Sequence, residues 1–94
     1  MIKVIAKLVL KQGKFEEMKA IVTELVAKTV QEEGNIAYQF FQDTQNPDLV
    51  FFVEEWKSKE ALKAHTMTEH YQKASKAFSD LVQEKEIHIC TLVM

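Results

Sequence analysis

The 94-residue chain contains no arginine, one cysteine, one proline and two glycines, and most of these scarcities remove a class of function. All 12 basic residues are lysines, spread without a basic run, and the net charge is −2. Base edges and phosphate groups are read best by the planar fork of a guanidinium, so nucleic acid and phosphate-bearing ligands are disfavoured. Gly13 and Gly34 lie far apart, so there is no glycine-rich phosphate loop. Cys90 alone forms neither an internal disulfide nor a cysteine metal cage, and its apolar setting, "IHICTLVM", assigns it to packing. No apolar run approaches the roughly 18 residues of a membrane span. The opening stretch, "MIKVIAKLVLKQGK", carries Lys3, Lys7 and Lys11 and lacks a signal-peptide cleavage pattern. The expectation is a single cytoplasmic domain over residues 1–94 that binds neither nucleic acid nor membrane.

What the chain has is clear periodicity. Residues 2 to 11 put Ile2, Val4, Ala6, Leu8 and Leu10 on one side and Lys3, Ile5, Lys7, Val9 and Lys11 on the other, the pattern of a strand. Residues 14 to 33 space Phe15, Met18, Val22, Leu25, Val26 and Thr29 as one stripe of a helix, with Gly34 placed to stop it. "NIAYQFFQD" and "LVFFVEEW" flank the turn-forming "TQNPD" and predict a hairpin. Ser58 can cap a short helix, and Thr66 with Glu69 three residues later resembles a capping box opening a second one, carried on by Tyr71, Ala74, Phe78, Leu81 and Val82. "EIHICTLVM" closes the chain as a strand.

The order βαββαβ predicts a ferredoxin-like α+β fold, a four-stranded antiparallel sheet with its helices on one face. The strands nevertheless carry large apolar residues on both faces, Phe40 against Phe41, Phe51 against Phe52, Leu8 against Val9. Two helices cover one face only, so the other is expected to pack against a second copy in a homodimer.

The chemistry is concentrated in "VEEWKSKEALKAHTMTEHY", residues 53 to 71. On a strand, Glu54 and Trp56 share a side, so an inward Trp56 draws the carboxylate inward as well, where it needs a partner such as His65 or His70; the plainer reading leaves Glu54 wetted at the rim. The two histidines are five apart, about 140° around a continuous helix, which is not the spacing of a helical zinc pair and leaves too few ligands for a metal. A break at "TMT" would let both face one cavity, where an imidazole is a natural general base. Otherwise one caps a helix end and one lies at the surface. Trp56, Tyr38 and Tyr71 are aromatic core or cavity-wall residues, and His88 is structural in the last strand.

"QEEGNIAYQFFQD" and "FFVEEWKSKEALKAHTMTEHY" together resemble the antibiotic biosynthesis monooxygenase domain over nearly the whole chain. The residues that carry the likeness are Glu33-Gly34 before the second strand, Glu54 and Trp56 at the end of the third, and His65, Thr68, His70 and Tyr71 after it. The resemblance implies a dimeric α+β barrel that oxidises small electron-rich aromatic, quinol-like or anthrone-like compounds with molecular oxygen and no cofactor. His65 or His70 would be the base, Glu54 would orient it, and Trp56, Tyr71, Phe52 and Tyr38 would hold the ring. Haem-degrading relatives look to need an asparagine and a histidine where Lys7 and Ser75 stand here. The alternatives are an isomerase of a small carbonyl compound, as in the relative acting on a phosphorylated autoinducer-2 breakdown product, and a non-catalytic small-ligand-binding dimer.

Overall fold

The lysine-apolar alternation of the first run forms β1 (Ile2–Leu10), whose Ile2, Val4, Ala6, Leu8 and Leu10 are buried while its lysines are exposed. In the computed structural model, which describes all 94 residues, there follow α1 (Phe15–Thr29), β2 (Asn35–Gln42), β3 (Leu49–Trp56), α2 (Lys59–Thr66), α3 (Glu69–Phe78), a 3-10 turn (Ser79–Leu81) and β4 (Val82–Cys90). The strands make one antiparallel sheet in the order β2-β3-β1-β4. This is the ferredoxin-like arrangement its element order predicts. No helix is long and apolar enough to cross a membrane.

The inward face of β1 meets Val50, Phe52 and Trp56 of β3, and α1 lays Met18, Val22 and Leu25 over them. Phe40, Tyr38 and Phe78 gather around Phe52, with ring centroids 4.9, 5.6 and 6.3 Å away. Opposite this core, Ile5 pairs with Val53 and Phe41 with Phe51 on the far face of the sheet. No helix covers that face, and Ile5 and Phe41 stand exposed on it.

Three boundaries differ from the sequence reading. The first helix ends at Thr29 rather than running to residue 33. Glu32 N–H bonds Thr29 O, and Asn35 N–H bonds Glu32 O, so the chain tightens into successive turns. Gly34, at φ +94°, occupies the left-handed third position of the second turn. The second break is capped by Thr68, not Thr66: its Oγ1 accepts from Tyr71 N–H at 3.2 Å and donates to His65 O at 2.7 Å. Finally, β4 starts at Val82, because pairing with β1 extends from Lys3 opposite Cys90 to Leu10 opposite Val82 and recruits residues whose pattern reads as helix. The strand stops at Cys90, short of the last four residues.

Gly34 also fixes where α2 sits, since a Cβ built there would lie 2.6 Å from the Cβ of Ala61. Replacing Gly34 by Ala therefore combines left-handed strain with a clash at a helix-turn contact. Urea unfolding of Gly34→Ala is expected to show a loss of about 2 to 4 kcal/mol, whereas Gly13→Ala, with open space around it, should lose only the strain part.

Candidate active site

Alternation along β3 turns Val50, Phe52, Glu54 and Trp56 toward the helices. Glu54 is 7 % exposed and Trp56 0 %. The carboxylate finds its partner on its own strand: the Trp56 indole N–H donates to Glu54 Oε1 at 2.9 Å. Glu54 therefore does not hold a histidine, contrary to the sequence expectation, because the indole two residues along occupies the same side of the strand and reaches it first. Burial pushes the Glu54 carboxyl up to about 7. The indole hydrogen bond opposes that shift, and the charge of Glu32 adds to it.

The histidines are oriented by a residue that the sequence patterns passed over. His65 lies in the last turn of α2 and His70 in the first turn of α3, and the break at Met67-Thr68 turns both rings toward the loop after α1. There Glu32 Oε2 lies 2.7 Å from His65 Nδ1 and 2.6 Å from His70 Nε2. An ionised carboxylate oxygen only accepts, so each of these nitrogens carries its hydrogen. In neutral His65 that leaves Nε2 as the unprotonated nitrogen. His65 is 1 % exposed, and Nε2 has no hydrogen-bond partner. Burial pulls the His65 pKa below its ordinary value, against the opposing hydrogen bond and charge of Glu32, with a smaller lowering from His70. The ring is boxed by Trp56, Tyr71 and Tyr38, at centroid distances of 4.6, 4.8 and 5.3 Å.

The sequence patterns left too few ligands for a metal, whereas folding supplies a third. Glu32, His65 and His70 place one ligand atom each within 4.8 Å of one another, a grouping able to hold one small cation. In the structure these three atoms are engaged with each other by hydrogen bonds.

Two cavities meet beside this cluster. The larger, 220 Å³, lies between sheet and broken helix, with His65, Glu54, Tyr71 and Leu62 on its walls and Ile87 and Ile89 of β4 on the sheet side. The smaller, 50 Å³, shares Glu54, Tyr71 and Ile87 with it and is closed by Tyr38, Phe52 and Phe78. Of the residues expected to hold a ring, Tyr71 lines both cavities and Phe52 and Tyr38 line the smaller one. Trp56 is not among them: it is sealed behind the cavity as the platform for His65 and the donor to Glu54, because β1 and β2 flank its strand and His65 packs on its ring. Nor do the two histidines face one cavity. His70 lines a 90 Å³ groove between α1 and α3, with Glu24 and Lys73 at its rim. His88 is on the exposed strand β4, on the open face opposite Ile5.

A sequence profile of the antibiotic biosynthesis monooxygenase family matches residues 1–77. The chain belongs to that family. It is 34 % identical over 62 residues to "Putative monooxygenase YcnE" of Bacillus subtilis (strain 168), a match covering 66 % of this chain and 65 % of that one. A crystal structure of an antibiotic biosynthesis monooxygenase superposes over 100 % of both chains with a TM-score of 0.94 and 32 % identity. A conserved protein from Methanosarcina mazei Go1, also 32 % identical, aligns over 95 % of this chain and 89 % of its own with a TM-score of 0.90. The profile match reaches from β1 through most of α3, so Glu32, Glu54, His65, His70 and Tyr71 all lie within it.

Within this domain the buried acid makes stability depend on pH. Glu54 is raised from 4.5 to about 7 on folding, so the native state holds its proton more tightly. The stabilisation is full below pH 4.5 and is lost as pH rises through 7. In Glu54→Gln the side chain stays neutral and can still accept from the indole. Denaturation of both proteins from pH 4.5 to 8 should show the variant gaining up to about 3 kcal/mol relative to wild type across that range. A constant difference would show that Glu54 titrates normally.

Proposed function

We propose that this chain is a cofactor-independent monooxygenase that oxidises a small, electron-rich, quinol-like aromatic with molecular oxygen, using His65 as the base. The observation that carries the reading is a buried imidazole that lines an apolar cavity, its Nδ1–H taken by Glu32 and its Nε2 left without a hydrogen-bond partner. Family membership supports it.

The substrate's hydroxyl proton passes to His65 Nε2, and the resulting oxyanion pushes electron density onto its ring. A ring carbon then bonds to oxygen, with the electrons for reducing oxygen coming from the substrate. The peroxide oxygen takes the proton back from His65, and loss of water from the resulting hydroperoxide leaves a carbonyl, so that one hydroxyarene and one O₂ give one quinone and one water. Glu32 stabilises the imidazolium formed on the way, the orienting part assigned from the sequence to Glu54. Tyr71 and the aromatic walls of the adjoining cavity hold the ring, and His70 acts on the base through the shared carboxylate and, more weakly, through its own charge.

Oxygen uptake with a panel of hydroquinones tests this. His65→Asn is expected to lower turnover by the 10² to 10⁴ of lost general-base catalysis, with an unchanged circular dichroism spectrum. A panel giving no uptake above buffer, or a variant turning over like wild type, would remove the assignment.

The working form in this reading is a homodimer, in which a second copy covers the open sheet face bearing Ile5, Val9, Phe41, Phe51 and Val53. The total interface should reach about 1,600 Å². Sedimentation of Phe51→Glu should show a monomer where the wild type shows a dimer; a wild-type monomer at micromolar concentration is the contrary result.

A further inference from the structure

Two imidazole N–H groups converge on one carboxylate oxygen, and Glu32 Oε2, His65 Nδ1 and His70 Nε2 all lie within 4.8 Å of one another. Two imidazoles and a carboxylate are a donor set suited to a zinc-type divalent cation. Neither ring has to lose a proton overall to serve in it. A neutral imidazole that carries its hydrogen on the far nitrogen presents a lone pair where it now presents an N–H. Around a tetrahedral zinc ion two such ligand atoms stand about 3.3 Å apart, so side-chain shifts on the order of 1 Å bring the three atoms to that spacing. Glu32 is placed for such a shift, since it belongs to the turns after α1 and not to the helix.

Access and charge fit the same ion. His65 is enclosed, but the side chains of His70 and Glu32 are 17 % and 13 % exposed, and His70 lines the groove between α1 and α3. At the rim of that groove the charge of Lys73 is matched by Glu24 at 3.9 Å. No lysine pairs with Glu32, whose ion-pair partners are the two histidines alone. Three protein ligands leave the fourth position of the ion to water.

We propose that Glu32, His65 and His70 bind one such cation per chain, and that its occupancy switches off the base of the proposed oxidation. The inference rests on His65 Nε2 being that base. A metal on Nδ1 takes the lone pair there, so the hydrogen of neutral His65 passes to Nε2 by exchange with solvent, and Nε2 then donates where it accepted. Metal–nitrogen and metal–oxygen bonds replace the two hydrogen bonds to Glu32, and nothing is oxidised or reduced. Neither Glu32 nor His70 lines the 220 Å³ cavity. The ion therefore removes the base without filling the space for the substrate, and acts by lowering kcat and not by raising KM.

The test is calorimetric titration of chelator-stripped protein with zinc chloride, alongside nitrogen-15 NMR of the histidine rings. Wild type should bind one zinc ion per chain at micromolar concentration, and the His65 hydrogen should pass from Nδ1 to Nε2 on binding. His70→Gln, whose amide can still donate to Glu32, should weaken binding by at least the roughly 10- to 100-fold that loss of an outer partner of a metal site costs. Glu32→Gln, which keeps an acceptor for both rings, should do the same. His88→Gln, which breaks the exposed pair with Glu86, should bind zinc as wild type does. In oxygen-uptake assays saturating zinc should abolish wild-type turnover, while His70→Gln at the same concentration keeps the rate it shows without zinc. No binding at millimolar zinc, His70→Gln binding like wild type, or a His65 hydrogen that stays on Nδ1 would overturn the proposal. Quinol oxidation untouched by bound zinc sinks the switch and leaves the oxidation standing; zinc binding with the tautomer change, in a protein that oxidises no quinol, does the reverse.

Discussion

Glu32 Oε2 receives an imidazole N–H from each of two helices, at 2.7 Å from His65 and 2.6 Å from His70, and the arrangement of the candidate site follows from that sharing. The carboxylate sits in a turn, the turn exists because Gly34 takes a positive φ, and Gly34 must be a glycine because Ala61 of α2 lies against it. Backbone conformation, helix placement and imidazole tautomer are thus linked within a few residues. One carboxylate facing two imidazoles also cannot fully stabilise both as cations. The enclosed ring, His65, is the one whose charging burial opposes, and it is the ring that the proposed oxidation uses as its base.

Much of the fold was legible because the inward and outward sides of β1 and β3 differ so plainly. The βαββαβ order, the hairpin and the broken second helical region follow from alternation, turn residues and caps. β4 was misjudged at its start, since Val82 fits a helical stripe and is recruited into the strand only by its pairing with Leu10. Pairing of that kind is a long-range effect that no local period contains.

The site was legible in membership more than in wiring. Glu54, His65, Tyr71, Phe52 and Tyr38 do meet at the cavities. The orienting carboxylate was missed because the sequence reading runs α1 through residue 33, which would make Glu32 one more solvent-facing helical acid. Only the early end of α1 frees it to turn inward. The misreading of Trp56 had a different origin: strand alternation gives the side a residue faces, but not whether that side is cavity or solid core at that depth.

One hydroxyl joins the two halves of the broken helix. Thr68 Oγ1 donates to the carbonyl of His65 and accepts from the backbone of Tyr71, so the carbonyl end of the base residue and the amide end of the wall residue are pinned to a single atom. The elbow between α2 and α3 is therefore braced on both sides by one oxygen. The cavity's open wall is the opposite one, where Ile87 and Ile89 stand 50 % and 60 % exposed on the edge strand β4. In the proposed reaction that exposed strand is the side from which a small molecule would approach His65, and a second copy or other cover lying over it would close the approach.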